Sequence, residues 1–266
     1  MGKVIENNIS EGGIMIIEQD INKSIQLLQN KFLKIKELEY VKSIRAGNTG
    51  VGATFEALLG KSEDSLEIPD FSGIEIKTRR SYSKSLISLL NMVPTGSTVY
   101  EVKRLRDTYG YRDIKDHSLK RLNTEVLATE MIKVGIFYYF KLKVDRKQKK
   151  LILCVYDWNK VLIDESTYWD FDVLEEKLLR KLKVLAVVKA WPNRIGGVEY
   201  FKYYKMNIYI LRDFNSFLKA LEDGVIRLQF KIGNYYDEKR YGMVYSHGIG
   251  FAIGESNLDK VFEIYR

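Results

Sequence analysis

Asp70, Glu75 and Lys77 stand in the stretch "PDFSGIEIKTRR" with the spacing Asp-x₄-Glu-x-Lys. A strand alternates faces at every residue, so Glu75 and Lys77 point the same way with Cα atoms about 7 Å apart. Ile74 and Ile76 take the opposite, apolar face. Pro69 stiffens the approach, and Asp70, at the end of a loop, can fold back beside Glu75. Two convergent carboxylates and the carbonyl of Ile76 are hard oxygen ligands of the kind Mg²⁺ takes. Such a metal can generate a hydroxide-like nucleophile and neutralise charge building at phosphorus. Lys77 would orient or deprotonate the attacking water, or stabilise the anionic transition state. Glu56, fourteen residues before Asp70, could supply a carboxylate for a second metal.

These side chains need elements to hold them. Ile21, Ile25, Leu28 and Phe32 fall at helical spacing, which predicts an amphipathic helix over 16–40. The loop "RAGNTG" follows, with Thr49 as a candidate N-cap for a short helix that carries Val51, Phe55 and Glu56 and ends at Gly60. A glycine-rich loop before a helix suggests a phosphate loop, but the Gly-Lys-Ser/Thr ending is missing. The strand bearing Glu75 and Lys77 is expected over 73–79. Further along, "SLISLLNMV" reads as a strand, 99–109 and 120–130 as helices, and the two apolar runs around "DRKQKK" as a hairpin. Residues 172–183 make a clear amphipathic helix. After it come strands at 184–191 and 199–210, a helix at 213–222, strands at 225–231 and 248–253, and a closing helix at 257–265. The class is α+β, in two lobes expected to divide as 1–183 and 184–266.

The chain's 266 residues are enough to bury a full core. Its 43 Lys+Arg against 35 Asp+Glu leave a net charge of +8, which suits a polyanionic partner. The surplus is spread over "KTRR", "KRLR" and "DRKQKK". No apolar run is long enough to span a bilayer, and the opening "MGKVIENNIS" has no signal-peptide character. With the single cysteine, Cys154, in an apolar run, these features set the expectation of a reducing cytoplasm. Cys154 reads as core filler, and most of the 18 tyrosines as strand packing.

The Asp-x₄-Glu-x-Lys spelling is a form of the PD-(D/E)xK nuclease motif. Alone it is weak, because charged strands of this spelling are common. Here it gains from the alternating apolar face, the preceding glycine-rich helix with Glu56, and the basic chain. "GNTGVGATFEALLG … PDFSGIEIKTRR" resembles the N-terminal signature shared by the MvaI/BcnI restriction endonucleases and the nickase MutH, and "LRDTYGYRD" and "YSHGIGFAI" resemble MvaI/BcnI in particular. The resemblance runs from about residue 40 to the C-terminus. It implies a PD-(D/E)xK mixed-sheet core flanked by helices, with a catalytic and a recognition lobe around a DNA cleft. It also implies a type II restriction endonuclease that acts as a monomer on a short site in double-stranded DNA and leaves 5′-phosphate and 3′-hydroxyl ends. By the same resemblance Asp70 and Glu75 hold Mg²⁺, Lys77 is the catalytic lysine and Glu56 matches the helix glutamate of the site. No organic cofactor and no membrane are expected.

In "HGIGFAI", Ala252 stands where the family has an arginine, and Tyr245 precedes "SHG" where another histidine is common. These departures bear on the recognition sequence, since arginine and histidine read guanine edges, and not on the chemistry. His247 is the candidate base contact of that motif. Arg79 and Arg80, just past Lys77, are candidates for DNA phosphates. His117 reads as a surface residue. Two rivals stand beside this reading. A MutH-like mismatch-repair nickase fits the signature but not the "SHGIGF" ending. A basic DNA-binding protein without catalysis leaves Glu56, Asp70 and Glu75 without purpose, because phosphate repels carboxylates unless a cation bridges them.

Overall fold

The computed structural model of the chain describes residues 11–60, 71–96 and 99–266. In chain order the elements begin with α1 (Glu11–Glu37), β1 (Val41–Lys42), α2 (Gly50–Leu58), β2 (Ile74–Arg80), β3 (Ile87–Asn91), α3 (Val99–Tyr109) and β4 (Tyr111–Arg112). There follow β5 (Lys120–Val126), β6 (Ile132–Val134), β7 (Tyr138–Asp145), β8 (Lys150–Asp157), β9 (Leu162–Asp170) and α4 (Phe171–Leu182). The rest comprises β10 (Val184–Ile195), β11 (Val198–Leu211), α5 (Phe214–Glu222), β12 (Ile226–Asn234), β13 (Val244–Ile253), a 3₁₀ turn at Glu255–Lys260, and β14 (Phe262–Ile264). No helix among the described residues is long and apolar enough to cross a membrane.

These elements form two compact units that interleave along the chain. One takes the chain up to Ser83, then Arg180–Ile210 and Ile264–Arg266; the other takes Lys84–Leu179 and Leu211–Glu263. A linear division at 183/184 does not describe them, because β10 returns to pair in parallel with β2, Val184 opposite Ile74 through Ala190 opposite Arg80. A parallel pair cannot be closed by a tight turn and needs a long crossover. Here the crossover is residues 84–179, most of the other unit.

In the first unit β1, β11, β10 and β2 lie in that order, antiparallel except for the β10–β2 pair. Near the chain end Tyr265 N–H donates to the Ile208 carbonyl at 2.8 Å. The apolar stripe of α1 (Ile25, Leu28, Phe32) and the Val51–Phe55 face of α2 cover Ile74, Ile76 and the alternating Val184, Ala186 and Val188. β10 is covered on both faces, since Val184 through Val188 are all buried, as its unbroken apolar run requires of a strand in a parallel pair.

The second unit holds two sheets, β3-β13-β12-β5-β4 and β6-β7-β8-β9. The hairpin around "DRKQKK" forms as expected, Asp145 opposite Lys150. Residues 120–126, expected helical, are strand β5: Leu122 and Val126 are buried two turns of the pleat apart, and β12 pairs along them from Ile232–Leu122 to Leu228–Val126. A seven-residue segment with good helix formers yields to two flanking strands when its apolar residues have even spacing. Strand β9 carries no clean alternation and was not foreseen; its pairing with β8 makes it a strand. The expected helix at 257–265 is instead the 3₁₀ turn followed by β14. α5 begins where Asp213 accepts a hydrogen bond from Ser216 N–H at 2.6 Å, an N-cap in extended backbone.

Candidate active site

Strand β2 is launched by a tight turn. Phe71 and Ile74 exchange both backbone hydrogen bonds, N to O at 2.9 and 2.8 Å, across Ser72 and Gly73, which both have positive φ (43° and 86°). Glycine takes such a φ without steric cost, and a short polar side chain tolerates it better than a branched one. Asp70, the residue before this turn, lies outside the described residues.

Glu75 is buried, 2% exposed, on a strand whose Ile74 and Ile76 sit in the core. Lys77 donates to Glu75 Oε1 at 2.5 Å, which puts both side chains on one face, as the alternation required. A second ammonium, Lys181 Nζ, lies 3.7 Å from the same Oε1. A buried carboxylate is costly unless cations attend it, and two lysines do so here. The parallel register sets Glu75 opposite Leu185 and Lys77 opposite Val187, so the polar face of β2 has an apolar strand beside it.

Glu56 is half-buried on α2, which packs against β2. Burial raises the Tyr203 hydroxyl above the usual phenol range, and the charge of Glu56 adds to the shift. Several contacts set the helix. The loop before it turns at Gly47, with φ +84°, and closes with Gly50 N–H on the Gly47 carbonyl at 3.2 Å. Any Cβ at Gly50 would stand 2.5 Å from the Arg45 carbonyl oxygen and 2.6 Å from Ser43 Oγ, so only glycine fits. Thr49 occupies the N-cap position but its side chain makes no cap bond, because its backbone is already in the right-handed helical region (φ −84°, ψ −9°). The end is as expected, with Gly60 in the left-handed region at φ +83°.

Arg79 and Arg80 are drawn into the protein. Arg79 is 7% exposed and donates to the Ser83 carbonyl at 3.0 Å. Arg80 forks onto Glu199, Nε to Oε1 at 2.7 Å and Nη2 to Oε2 at 2.6 Å. The same guanidinium reaches the carbonyls of Asn48 (3.1 Å) and Gly47 (3.0 Å). The hydrogen bond from Arg80 holds the Glu199 carboxyl below the usual carboxylate range. These protein partners engage four of the five N–H donors of Arg80 and Nη2 of Arg79.

In the other unit, the backbone of His247 lies in β13. The glycines of "HGIG" answer to packing: a Cβ at Gly250 would meet Asn91 Oδ1 at 2.2 Å and the Leu90 carbonyl at 3.0 Å, where β3 passes. Ala252 is fully buried opposite Arg227 on β12. Cys154 is buried and donates to Glu165 at 3.3 Å, and burial pushes its thiol up to about 12, so it is no nucleophile. His117 is exposed.

Sequence reasoning missed Lys181 and the Arg80–Glu199 pair. Lys181 reads as one of several basic residues closing α4, and only the β10–β2 register brings it to Glu75. Among the described residues no three His, Cys, Asp or Glu side chains are arranged to hold a metal. The side-chain donors that β2 and α2 bring, Glu75 and Glu56, are carboxylates, with no thiolate or imidazole, a set suited to Mg²⁺ rather than zinc.

The fold and site define a class: an α+β protein in which a mixed sheet carries a buried glutamate and its lysine on the strand of a parallel pair. The sequence matches the MvaI/BcnI restriction endonuclease family over residues 29–262. The structure is similar to that of a restriction endonuclease MvaI–cognate DNA substrate complex, with a TM-score of 0.82 and 33% identity over 90% of this chain and 96% of that one. It is also similar to restriction endonuclease MvaI in the absence of DNA, with a TM-score of 0.59 and 32% identity over 91% of this chain and 96% of that one. No curated protein matches the chain. The chain belongs to the MvaI/BcnI restriction endonuclease family, whose members are site-specific deoxyribonucleases.

Proposed function

We propose that this protein is a Mg²⁺-dependent type II restriction endonuclease. It hydrolyses phosphodiester bonds of double-stranded DNA at a short specific sequence and leaves 5′-phosphate and 3′-hydroxyl ends. One observation carries the reading: in a chain of this family, Glu75 is buried on β2 with Lys77 bonded to it at 2.5 Å, the face-sharing that the PD-(D/E)xK spacing requires. The DNA in the similar MvaI complex supports duplex DNA as the substrate.

In this reading Asp70 and Glu75 hold the metal, and Glu56 offers a further carboxylate from α2. When bound, Mg²⁺ supplies the Lewis acidity that activates water and offsets charge on the phosphate. Lys77 orients or, as a neutral amine, deprotonates the attacking water, or as an ammonium stabilises the anionic transition state. Lys181, 3.7 Å from the same oxygen of Glu75, adds positive charge where phosphate must come. The first unit is then the catalytic lobe and the second the recognition lobe. The second unit contains a cavity of about 630 Å³ whose lining includes Lys115, Arg121, Lys231, Tyr235 and Tyr245, a basic and aromatic surface suited to DNA. His247, on the neighbouring β13, is the candidate for a base edge. The protein acts as a monomer in the cytoplasm.

The test is incubation of the purified protein with unmethylated circular DNA and Mg²⁺. Discrete linear fragments support restriction. Nicked circles alone would favour a MutH-like nickase, and binding without any cleavage would favour a non-catalytic DNA-binding protein.

A further inference from the structure

We propose that Arg80 and Glu199 form a buried clasp that positions the 47–50 loop, and through it helix α2 with Glu56, against the strand that carries Glu75 and Lys77. Its catalytic consequence rests on the nuclease reading above; its geometry does not.

Three segments distant in sequence meet at one guanidinium. Arg80 is the last residue of β2, three beyond Lys77. Glu199 stands at the start of β11, and its own carbonyl accepts from Ser43 N–H at 2.8 Å, beside the β1–β11 ladder. The Gly47 and Asn48 carbonyls belong to the loop that enters α2. Arginine has five N–H donors in a rigid fork, and four of them are engaged by these partners, two on the carboxylate and two on the carbonyls. Both side chains are largely buried, 14% and 12% exposed, and the guanidinium carbon lies 5.3 Å from the centre of the Phe201 ring. A bidentate pair held away from water has one geometry, and a lysine in place of Arg80, with three N–H donors, could not make all four bonds.

Other contacts grip the same loop and helix start. Tyr203, on β11, donates to the Val51 carbonyl at 2.8 Å, and Thr54 Oγ1 donates to the Gly50 carbonyl at 2.7 Å while accepting from Ile44 N–H at 3.1 Å. The missing Cβ at Gly50 lets the Arg45 carbonyl approach. The α2 entry is therefore gripped from several sides, with Arg80 as the only one of these groups that belongs to the active-site strand. Arg80 and Glu199 are positioning residues: bonded to each other and to the loop, they set where Glu56 stands relative to Glu75.

The alternative is that Arg80 leaves Glu199 and binds a DNA phosphate. The two readings separate in the full-length protein. Arg80→Gln, Glu199→Gln, the double variant and Arg80→Lys are compared for DNA affinity without divalent metal across a salt series, for single-turnover cleavage against Mg²⁺ concentration, and for amide hydrogen exchange. A clasp predicts DNA affinity within about twofold of wild type, with an unchanged salt slope, in every variant. Cleavage falls at least about tenfold and needs more Mg²⁺. The double variant loses no more than either single, because the two side chains act as one unit. Exchange quickens over 47–56 in both singles and stays as wild type in the α1 helix, which separates lost positioning from general unfolding. Arg80→Lys, which keeps the charge, fails to rescue. Two results would overturn the clasp. In one, Arg80→Gln flattens the salt slope by about one while Glu199→Gln does not, as a phosphate contact requires. In the other, exchange over 47–56 is unchanged. If a glutamine variant does not fold, Arg80→Lys gives the same exchange and salt readouts. Wild-type protein that cleaves no DNA under any condition would sink the nuclease reading, and the exchange result would still decide the clasp.

Discussion

Glu75 and Lys77 form a pair whose halves fail differently. Removing the carboxylate takes away the proposed metal ligand and leaves two lysines without their shared partner; removing Lys77 leaves the carboxylate with Lys181 still near it. Glu75→Ala and Asp70→Ala are expected to abolish Mg²⁺-dependent cleavage, and Lys77→Ala to lower the single-turnover rate by at least ~100-fold while the protein still binds DNA. Robust cutting by Lys77→Ala would remove this site from consideration. Elsewhere charge serves stability. Arg104 donates to both oxygens of Glu101 (2.9 and 2.8 Å) and to Asp164 (2.9 Å), and Tyr109 donates to Asp164 at 2.6 Å. Burial alone would raise the Asp164 carboxyl, but hydrogen bonds from Tyr109, Ser166 and Arg104 outweigh it and hold the group well below the carboxylate range. A depressed folded-state pKa means stability that is present above the unfolded value, about 4, and lost as pH falls below it. Asp164→Asn is therefore expected to lower the melting temperature at pH 7 and to make it fall less steeply between about pH 5 and 2. A melting curve whose acid limb matches that of wild type would show that other groups control it.

Elements hold the site by close approach as much as by charge. α2 meets the Arg45 turn at a point where no side chain fits, with a Cβ at Gly50 only 2.5 Å from a carbonyl oxygen. Gly50→Ala should cost about 1–3 kcal/mol through forced backbone shifts, even though alanine is the better helix former. Thermal melts measure the loss, and cleavage should fall with it, since the helix carrying Glu56 must move. A Gly50→Ala protein more stable than wild type would mean that the loop has room it does not show. Element identity was partly legible for the same kind of reason. α1, α2 and α4 carry helical periodicity strong enough to survive any neighbour. β5 does not: its Leu122 and Val126 suit either period, and β12 decided. β9, with little alternation, owes its extended form to β8.

On the scale of the whole molecule, the surplus of +8 charges should show in binding. A basic protein on DNA releases counterions, and log K falls with log salt at about 0.9 per phosphate contact. Titrations with duplex DNA between low and physiological salt are expected to give a steep negative slope, preserved in Lys77→Ala. A salt-insensitive complex would point to a partner other than a polyanion.

What the sequence determined by itself is local. The spacing of Asp70, Glu75 and Lys77, the apolar alternation of β2 and the glycines of the α2 entry need only the periods of a strand and a turn, so they could be read before any fold was known. What the tertiary structure decided is everything that depends on which distant segments become neighbours. The parallel return of β10 made two interleaved units from what reads as two successive lobes, because a parallel partner must come back after a long crossover. It also delivered Lys181 to Glu75. Arg79 and Arg80 show the difference most plainly: as a run of charge they suggest phosphates. The fold adds what the run alone does not show: Arg79 folds back onto Ser83, and Glu199, 119 residues from Arg80, takes its guanidinium inward, since a bidentate partner out of water outcompetes solvent.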